Sequence, residues 1–288
     1  MKLMTLNAHS LLEKEYIRKL SCFLEYVIRE QPDLIALQEV NQSIDASAAD
    51  PSLTSGMAEI EGVSVPVKTD NHAAWTAYVL NQAGLECRWA WLPVKRGYGR
   101  FDEGVAILTL GHEIAETDVQ PVSLTDDYGN WKTRKALGVR LASGPDWYYT
   151  VHMGWWNDEE EPFLGQWRQL EAQLSEKKAS APVWLLGDFN SPAEIRSEGY
   201  DRMLRDGWND TWLLAGETRG RATVEGKIDG WPAENAEGNP SEGLRIDQIW
   251  CSRPVPVKRS HVIFDGRHEP RVSDHCGVML ETGRPAIS

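Results

Sequence analysis

Val183-Trp-Leu-Leu-Gly-Asp-Phe-Asn-Ser-Pro192 runs four apolar residues into Gly187, sets Asp188 and Asn190 two positions apart, and stops at a proline. An apolar run broken by glycine and polar turn formers reads as a buried strand that ends abruptly in a loop. Gly187 lets another group approach the backbone closely, so a carboxylate and a carboxamide can be aimed across the bend at one point. The bland alternative is an Asx-turn in which Asp188 and Asn190 satisfy only their own backbone. The choice turns on whether polar groups stand at strand ends elsewhere.

They do. Lys2 to Asn7 alternates and stops in Asn7-Ala-His-Ser, a strand running into a polar loop. Apolar residues at helical spacing between Lys14 and Gln31 predict a helix that Pro32 forbids to continue, and Leu34-Ile-Ala-Leu-Gln-Glu39 follows as a central strand ending in a carboxylate. Residues 41 to 68 are polar and aperiodic, a surface excursion, and Asn71 caps a helix that Gly84 closes. Strands are expected over Glu86–Leu92, Gly104–Leu110, Ala136–Leu141 and Trp147–His152. Two basic loops lie between them, Lys95-Arg-Gly-Tyr-Gly-Arg100 and Asn130-Trp-Lys-Thr-Arg-Lys135. A helix through Gln166, Leu170 and Leu174 leads to the opening stretch, and a polar helix is expected near Ile195 to Leu204. After a Gly-rich loop from Ala215 to Gly243, strands are expected over Ile246–Trp250 and Val257–Phe264, with a closing strand inside Val272–Leu280. Strands punctuated by helices, without repeats, indicate an α/β layered fold.

With 288 residues and 41% hydrophobic content the chain can build one large core, and no low-complexity linker divides it, so a single domain over residues 1–288 is expected. A net charge of −13 argues against a protein that grips nucleic acid over a broad basic face, although a local basic groove is compatible with it. No apolar run reaches membrane-span length and the strand-like Lys2–Leu6 follows Met1 at once, so a cytoplasmic protein without signal peptide or anchor is expected. Cys22, Cys87, Cys251 and Cys276 are scattered, which fits reduced core thiols better than zinc or a disulfide framework. The 13 tryptophans supply core and also flat surfaces for stacking on sugar or base rings. Nothing in the sequence calls for an obligate protein partner.

Asn7, Glu39, His152, Asp188, Asn190, Asp247, Asp274 and His275 all fall at expected strand ends. If those ends converge, the hard oxygen ligands among them, Glu39, Asp274 and Asn7, suit Mg²⁺ or Mn²⁺. Clustered carboxylates raise one another's pKa values unless a cation or a proton intervenes. Carboxylates, a metal and two histidines are the parts that phosphate-ester hydrolysis needs, and no G-x-S-x-G elbow or Walker loop offers another chemistry. Each residue also has a plainer reading: Asn7 as a turn residue, Glu39 as a solvated strand end, His152 as a core histidine. Asp247, between Ile246 and Ile249, needs a partner, and His275 is the obvious one.

Leu6-Asn7, Gln38-Glu39-Val40, Val151-His152, Gly187-Asp188-Phe189-Asn190, Arg245-Ile246-Asp247 and Ser273-Asp274-His275 resemble, in order, the motifs of the endonuclease/exonuclease/phosphatase superfamily. The resemblance implies a four-layer α/β sandwich, with two facing mixed sheets flanked by helices and a divalent metal at the strand ends. It implies that Glu39 binds the metal with help from Asn7 and Asp274, that Asp188 and Asn190 position and activate water, and that His152 and the Asp247/His275 pair contact the phosphate. The stretches 95–107, 130–134, 152–163 and Ile228-Asp-Gly-Trp231 are similar to the bacterial maltose 6'-phosphate phosphatase branch. The expected substrate is therefore a phosphorylated sugar, bound by Arg100, Lys132 and Arg134 at its phosphate and by Trp155 and Trp156 at its ring. A DNA- or RNA-cleaving nuclease with the same metal centre is the alternative.

Overall fold

The computed structural model describes residues 1–225 and 243–283. In chain order its strands are β1 (Lys2–Asn7), β2 (Leu34–Ser43), β3 (Cys87–Gly97), β4 (Phe101–Leu110), β5 (Ile114–Pro121), β6 (Lys135–Leu141), β7 (Trp147–His152), β8 (Val183–Asp188), β9 (Asn209–Asp210), β10 (Ala215–Arg219), β11 (Asp247–Cys251), β12 (Val257–Ile263) and β13 (Gly277–Thr282). The helices are α1 (Tyr16–Glu30), α2 (His72–Gln82), α3 (Phe163–Ser180), α4 (Gly199–Arg205) and α5 (Thr211–Leu214). The strands form a seven-stranded sheet, β10-β12-β13-β1-β2-β4-β3, and a six-stranded sheet, β5-β6-β7-β8-β11-β9. Each mixes parallel and antiparallel pairs, since β1 runs parallel to β2 and antiparallel to β13, while β8 runs parallel to β7 and antiparallel to β11.

Side-chain alternation assembles the layers. Leu3, Leu34 and Ala36 from the first sheet meet Tyr148, Trp184, Leu186 and Ile249 from the second in a core between the sheets. The residues one step out of phase, Met4, Leu6, Ile35 and Leu37, pack outward against Phe23 and Val27 of α1 and Ala73 and Ala77 of α2. On the opposite side Tyr149, Val151, Leu185 and Trp250 pack against Trp167, Leu170 and Leu174 of α3. Helix, sheet, sheet, helix is the four-layer sandwich expected. A buried polar bridge also joins the sheets: Gln38 Nε2 donates to Thr150 Oγ1 at 2.8 Å, and Thr150 Oγ1 donates to the Leu37 carbonyl at 3.2 Å. None of the described helices is long and apolar enough to cross a membrane.

Several boundaries differ from the sequence reading. β2 does not end at Glu39 but continues to Ser43, through a register shift between Leu37 and Val40 in which Glu39 takes φ +51°. A bulge of this kind inserts an extra residue and re-aims a side chain, which alternation alone cannot foresee. The first basic loop is largely strand: β3 carries Lys95, Arg96 and Gly97 into a tight turn before β4, because the strand pairs with β4 along that length. β5 and β10 escape notice because both are polar edge strands with little buried surface. α4 begins at Gly199, later than expected. Ile228-Asp-Gly-Trp231 lies outside the described residues.

Gly187 is required by packing. A Cβ there would stand 1.9 Å from the Val151 carbonyl oxygen on the neighbouring strand. Gly187→Ala should therefore lower stability by at least about 2 kcal/mol, read as a drop in Tm. A variant that melts with the parent protein would show that β7 and β8 do not approach this closely.

Candidate active site

The inward phase of the strands carries the site. Asp188 is in step with Trp184 and Leu186, His152 with Tyr148, and Asp247 with Ile249 and Cys251, all inward-facing residues. Register then sets them side by side, for His152 pairs with Asp188 across β7 and β8, and Asp247 pairs with Asp188 across β8 and β11. The apolar core between the sheets thus gives way at one end to a row of polar groups. Facing it, Asn7 at the end of β1 and Glu39 at the β2 bulge come from the other sheet. The Asn7 side-chain amide spans the gap, donating to Glu39 Oε1 at 2.9 Å and to Asp188 Oδ2 at 3.2 Å. Asn190 turns the chain after β8 at φ +46°, its N–H donating to Asp188 Oδ1 at 2.9 Å and its amide to the Met153 carbonyl at 2.9 Å. Asp188 and Asn190 thus form the Asx-turn and at the same time stand in the polar row.

The two histidines flank Asp188, with His152 Nε2 at 3.7 Å and His275 Nε2 at 3.9 Å from its Oδ2. They differ in charge. Burial lowers His152 well below the usual imidazole value, and Arg134, Lys95 and His275 lower it further, so it is neutral. Burial also opposes charge on His275, but Asp247, whose Oδ2 lies 2.9 Å from Nδ1, raises it to about 10, with Asp188 adding to the effect. Asp188 itself is pushed up to about 7, chiefly by burial, with His275 working against that and Asp247 reinforcing it. A carboxylate poised near neutral pH is suited to proton transfer.

The His275 shift gives a stability prediction. Its folded pKa lies above its unfolded value, so its contribution is full below about pH 6.5 and is lost as pH rises through about 10. Asp247→Asn should lower stability near pH 7 by about 3 kcal/mol and flatten the decline between pH 7 and 10. Unchanged pH dependence of Tm in the variant would refute the pairing.

Glu39 tests whether a metal fits. Burial raises its pKa, Glu103 and Asp274 raise it further, and His9 and the Asn7 amide act in the other direction. Among the described residues no lysine or arginine side chain hydrogen-bonds to it, so a cation answers its electrostatics. Two clusters among the described residues have metal-ligand spacing: His9, Glu13 and Asp274, and Asp188, Asp247 and His275. The second is ill suited to ligation, because His275 is committed to Asp247 as an imidazolium and a metal ligand must be the neutral ring. Asp274 sits toward the first cluster, its Oδ1 3.7 Å from His9 Nδ1 and its N–H donating to Glu13 Oε1 at 3.0 Å.

A cavity of about 570 Å³ opens from this end of the sandwich, lined by Glu39, His152, Asp188, Asn190 and His275 and, beyond them, by Lys95, Glu103, Arg134, Trp155 and Trp131. Of the residues expected to hold substrate, Arg134 and Trp155 line it. Arg100, Lys132 and Trp156 do not. The Arg100 guanidinium lies over the Phe101 ring, Lys132 is engaged by Asp158 and Glu160 with its Nζ over the Trp131 ring, 5.4 Å from the centroid, and Trp156 packs toward Phe163, so each is held by its neighbours. Trp155 and Trp156 lie beyond the end of β7, in the segment that leads to α3. The structure adds Lys95 and Glu103, an ion pair of 3.0 Å on buried side chains. In the sequence Lys95 stood out only as a cation of the first basic loop and Glu103 only as part of the stretch 95–107, and neither signal says which way a side chain faces.

Solved structures similar to this one include an endonuclease/exonuclease/phosphatase family protein from Leptotrichia buccalis, 25% identical with a TM-score of 0.82 over 98% of this chain and 99% of that one. A mannosyl-6-phosphatase from Bacteroides thetaiotaomicron is 16% identical, with a TM-score of 0.65 over 98% of this chain and 99% of that one. A 3' phosphatase from Neisseria bound to a product DNA hairpin is 19% identical, with a TM-score of 0.59 and the same coverage, 98% and 99%. No curated protein sequence matches the chain. The family model for the Endonuclease/Exonuclease/phosphatase family matches residues 4–275, a span that holds every polar group of the row described above, and the chain belongs to that family.

Proposed function

We propose that the protein is a Mg²⁺- or Mn²⁺-dependent phosphatase that hydrolyses a phosphomonoester of a sugar, a disaccharide phosphate such as maltose 6'-phosphate. The observation that carries this reading is Arg134. Its side chain is buried in the cavity wall beside the catalytic row, it makes no carboxylate ion pair among the described residues, and its Nη1 donates only to the carbonyls of Trp131 and Thr133. Its Nε is buried without a hydrogen-bond partner. Glu103 and Glu39 favour its charge from a distance, but a buried guanidinium with no anion in hydrogen-bond contact is costly, and a phosphate supplies one. Lys95 stands close by, its pKa lowered by burial first and by Arg134 second. A dianionic monoester thus meets cationic side chains at the inner end of an open cavity, whereas a nucleic acid strand needs an extended basic track that a net charge of −13 disfavours. Two neighbours of the same fold bear phosphatase names, one on a sugar phosphate and one on DNA, so the choice of substrate rests on the cavity and its charges.

Glu39, with Asn7 and Asp274, would hold the metal. The bound ion supplies charge neutralisation at the phosphoryl oxygens. Asp188 accepts a proton from the attacking water while the Asn190 N–H and the Asn7 amide fix its carboxylate. Oxygen of that water bonds to phosphorus as the bond from phosphorus to the ester oxygen breaks, the departing oxygen takes up a proton from solvent, and Asp188 returns its own to solvent, giving inorganic phosphate and the free sugar. His275, as imidazolium, and Arg134 offset charge developing on the phosphoryl oxygens, and neutral His152 donates a hydrogen bond from its ring N–H. Trp155 offers an apolar face and a buried Nε1 without a partner, a combination suited to a sugar ring with a hydroxyl at its edge.

A panel of sugar phosphates, inositol phosphates, nucleotides and DNA, each assayed with Mg²⁺ and with chelator, tests the reading. Metal-dependent release of phosphate from sugar monoesters is the expected result. Cleavage of plasmid or abasic DNA at enzyme concentrations that leave sugar phosphates untouched would overturn it.

A further inference from the structure

Three large aromatic residues are exposed on the described surface, Trp75, Tyr98 and Trp131, and two of them, Tyr98 at 55% and Trp131 at 51%, line the same cavity as the catalytic row. Asp188, Asn190 and His275 at the catalytic end are buried and Glu39 and His152 half-buried, so exposure grades the cavity from a polar inner end to an aromatic mouth. Resting on the phosphatase reading above, we propose that Trp131 and Tyr98 form an outer subsite for the second, non-phosphorylated ring of a disaccharide phosphate, so that the enzyme favours two-ring over one-ring substrates.

The Trp131 indole carries the Lys132 ammonium over its ring at 5.4 Å from the centroid and is still half exposed, while its backbone is fixed. Its carbonyl accepts from Lys95 Nζ and from Arg134 Nη1, each at 2.9 Å, so both buried cations of the inner cavity brace it. The rest of the loop is tied down as well: Thr133 Oγ1 donates to the Asp127 carbonyl at 2.6 Å, and the Arg96 N–H donates to the Tyr128 carbonyl at 2.8 Å. An aromatic ring on a braced loop offers stacking area at little ordering cost, which is what a binding platform requires and a solvent-facing accident does not. The Trp131 ring continues inward to Trp155, with centroids 5.7 Å apart and planes inclined at 53°. The tilt suits two successive rings of a bent disaccharide better than one long planar ligand. Between the aromatics the wall is glycine, and at Gly99 a Cβ would meet nothing within 4 Å, which leaves backbone groups open to sugar hydroxyls. The cations lie behind Trp131, so the phosphate is placed inward and the uncharged ring outward.

The test compares kcat/KM for maltose 6'-phosphate with that for glucose 6-phosphate in the full-length enzyme loaded with Mg²⁺. In Trp131→Ala the ratio of the two should fall about five-fold or more, mainly through KM for the disaccharide, and Trp131→Phe should restore part of it. Tyr98→Ala is the second variant and should lower the same ratio, while Trp75→Ala, on α2 and away from the cavity, should leave it unchanged. An unchanged ratio in both cavity variants, or equal losses on both substrates, overturns the outer subsite and leaves the phosphatase reading standing. Hydrolysis of neither sugar phosphate by the parent enzyme overturns both.

Discussion

Asp188→Asn should lower kcat by about 10²- to 10⁴-fold with little change in Tm, because the amide keeps the shape of the carboxylate but cannot take a proton from water. The geometry makes the expectation sharp. Asp188 is buried, sits between two histidines, and has a pKa near 7 that arises mainly from burial and is balanced between His275 and Asp247. One Asp188 oxygen accepts the Asn190 N–H and the other the Asn7 amide, so the group is held in orientation before substrate arrives. An asparagine would keep one acceptor oxygen for the Asn190 N–H but would set its NH₂ against that of Asn7. Part of the loss could then come through displacement of Asn7, and the double variant Asn7→Ala/Asp188→Asn separates the two effects. Should Asp188→Asn retain near-normal kcat, Asp188 would be a turn residue only.

Glu39→Ala should raise the metal concentration for half-maximal activity by at least about ten-fold, the scale seen when groups that merely support a metal ligand are removed. Excess EDTA should abolish turnover in the parent enzyme. The raised pKa of Glu39 sets the sign of the pH effect. Protons compete with the metal for this carboxylate, so metal affinity should increase as pH rises, and the gain in Tm on adding Mg²⁺ should be larger at pH 8 than at pH 6. Undiminished turnover in EDTA would remove the metal from the mechanism, and a Glu39→Ala enzyme with unaltered metal dependence would move the ligand set elsewhere, with the carboxylates of Glu13 and Asp274 the next to test.

The sequence by itself determined the layered fold and the placing of polar groups at strand ends, because both follow from local periodicity, while strand register brought those ends into one row. An apolar strand in which every second residue turns inward must present its last inward residue at the end of the core, and Asp188, His152 and Asn7 are such residues. The pairing of Asp247 with His275 was also legible, since a carboxylate in an apolar run needs a partner and only a few were on offer. Tertiary structure alone decided the rest. Glu39 reaches the site through a bulge at positive φ, and a bulge depends on how β2 meets β4, not on the residues of β2. The unlike charges of His152 and His275 depend on which neighbours each ring meets, Arg134 and Lys95 in one case and Asp247 in the other. The substrate-facing side chains were least legible, because a basic loop shows how many cations it has but not which are drawn away. Arg100 and Trp156 are held by neighbours elsewhere and Lys132 is engaged by Asp158, while Lys95 and Trp131, from the same two stretches, line the cavity. That distinction is set by long-range contacts between segments dozens of residues apart, and no local pattern encodes them.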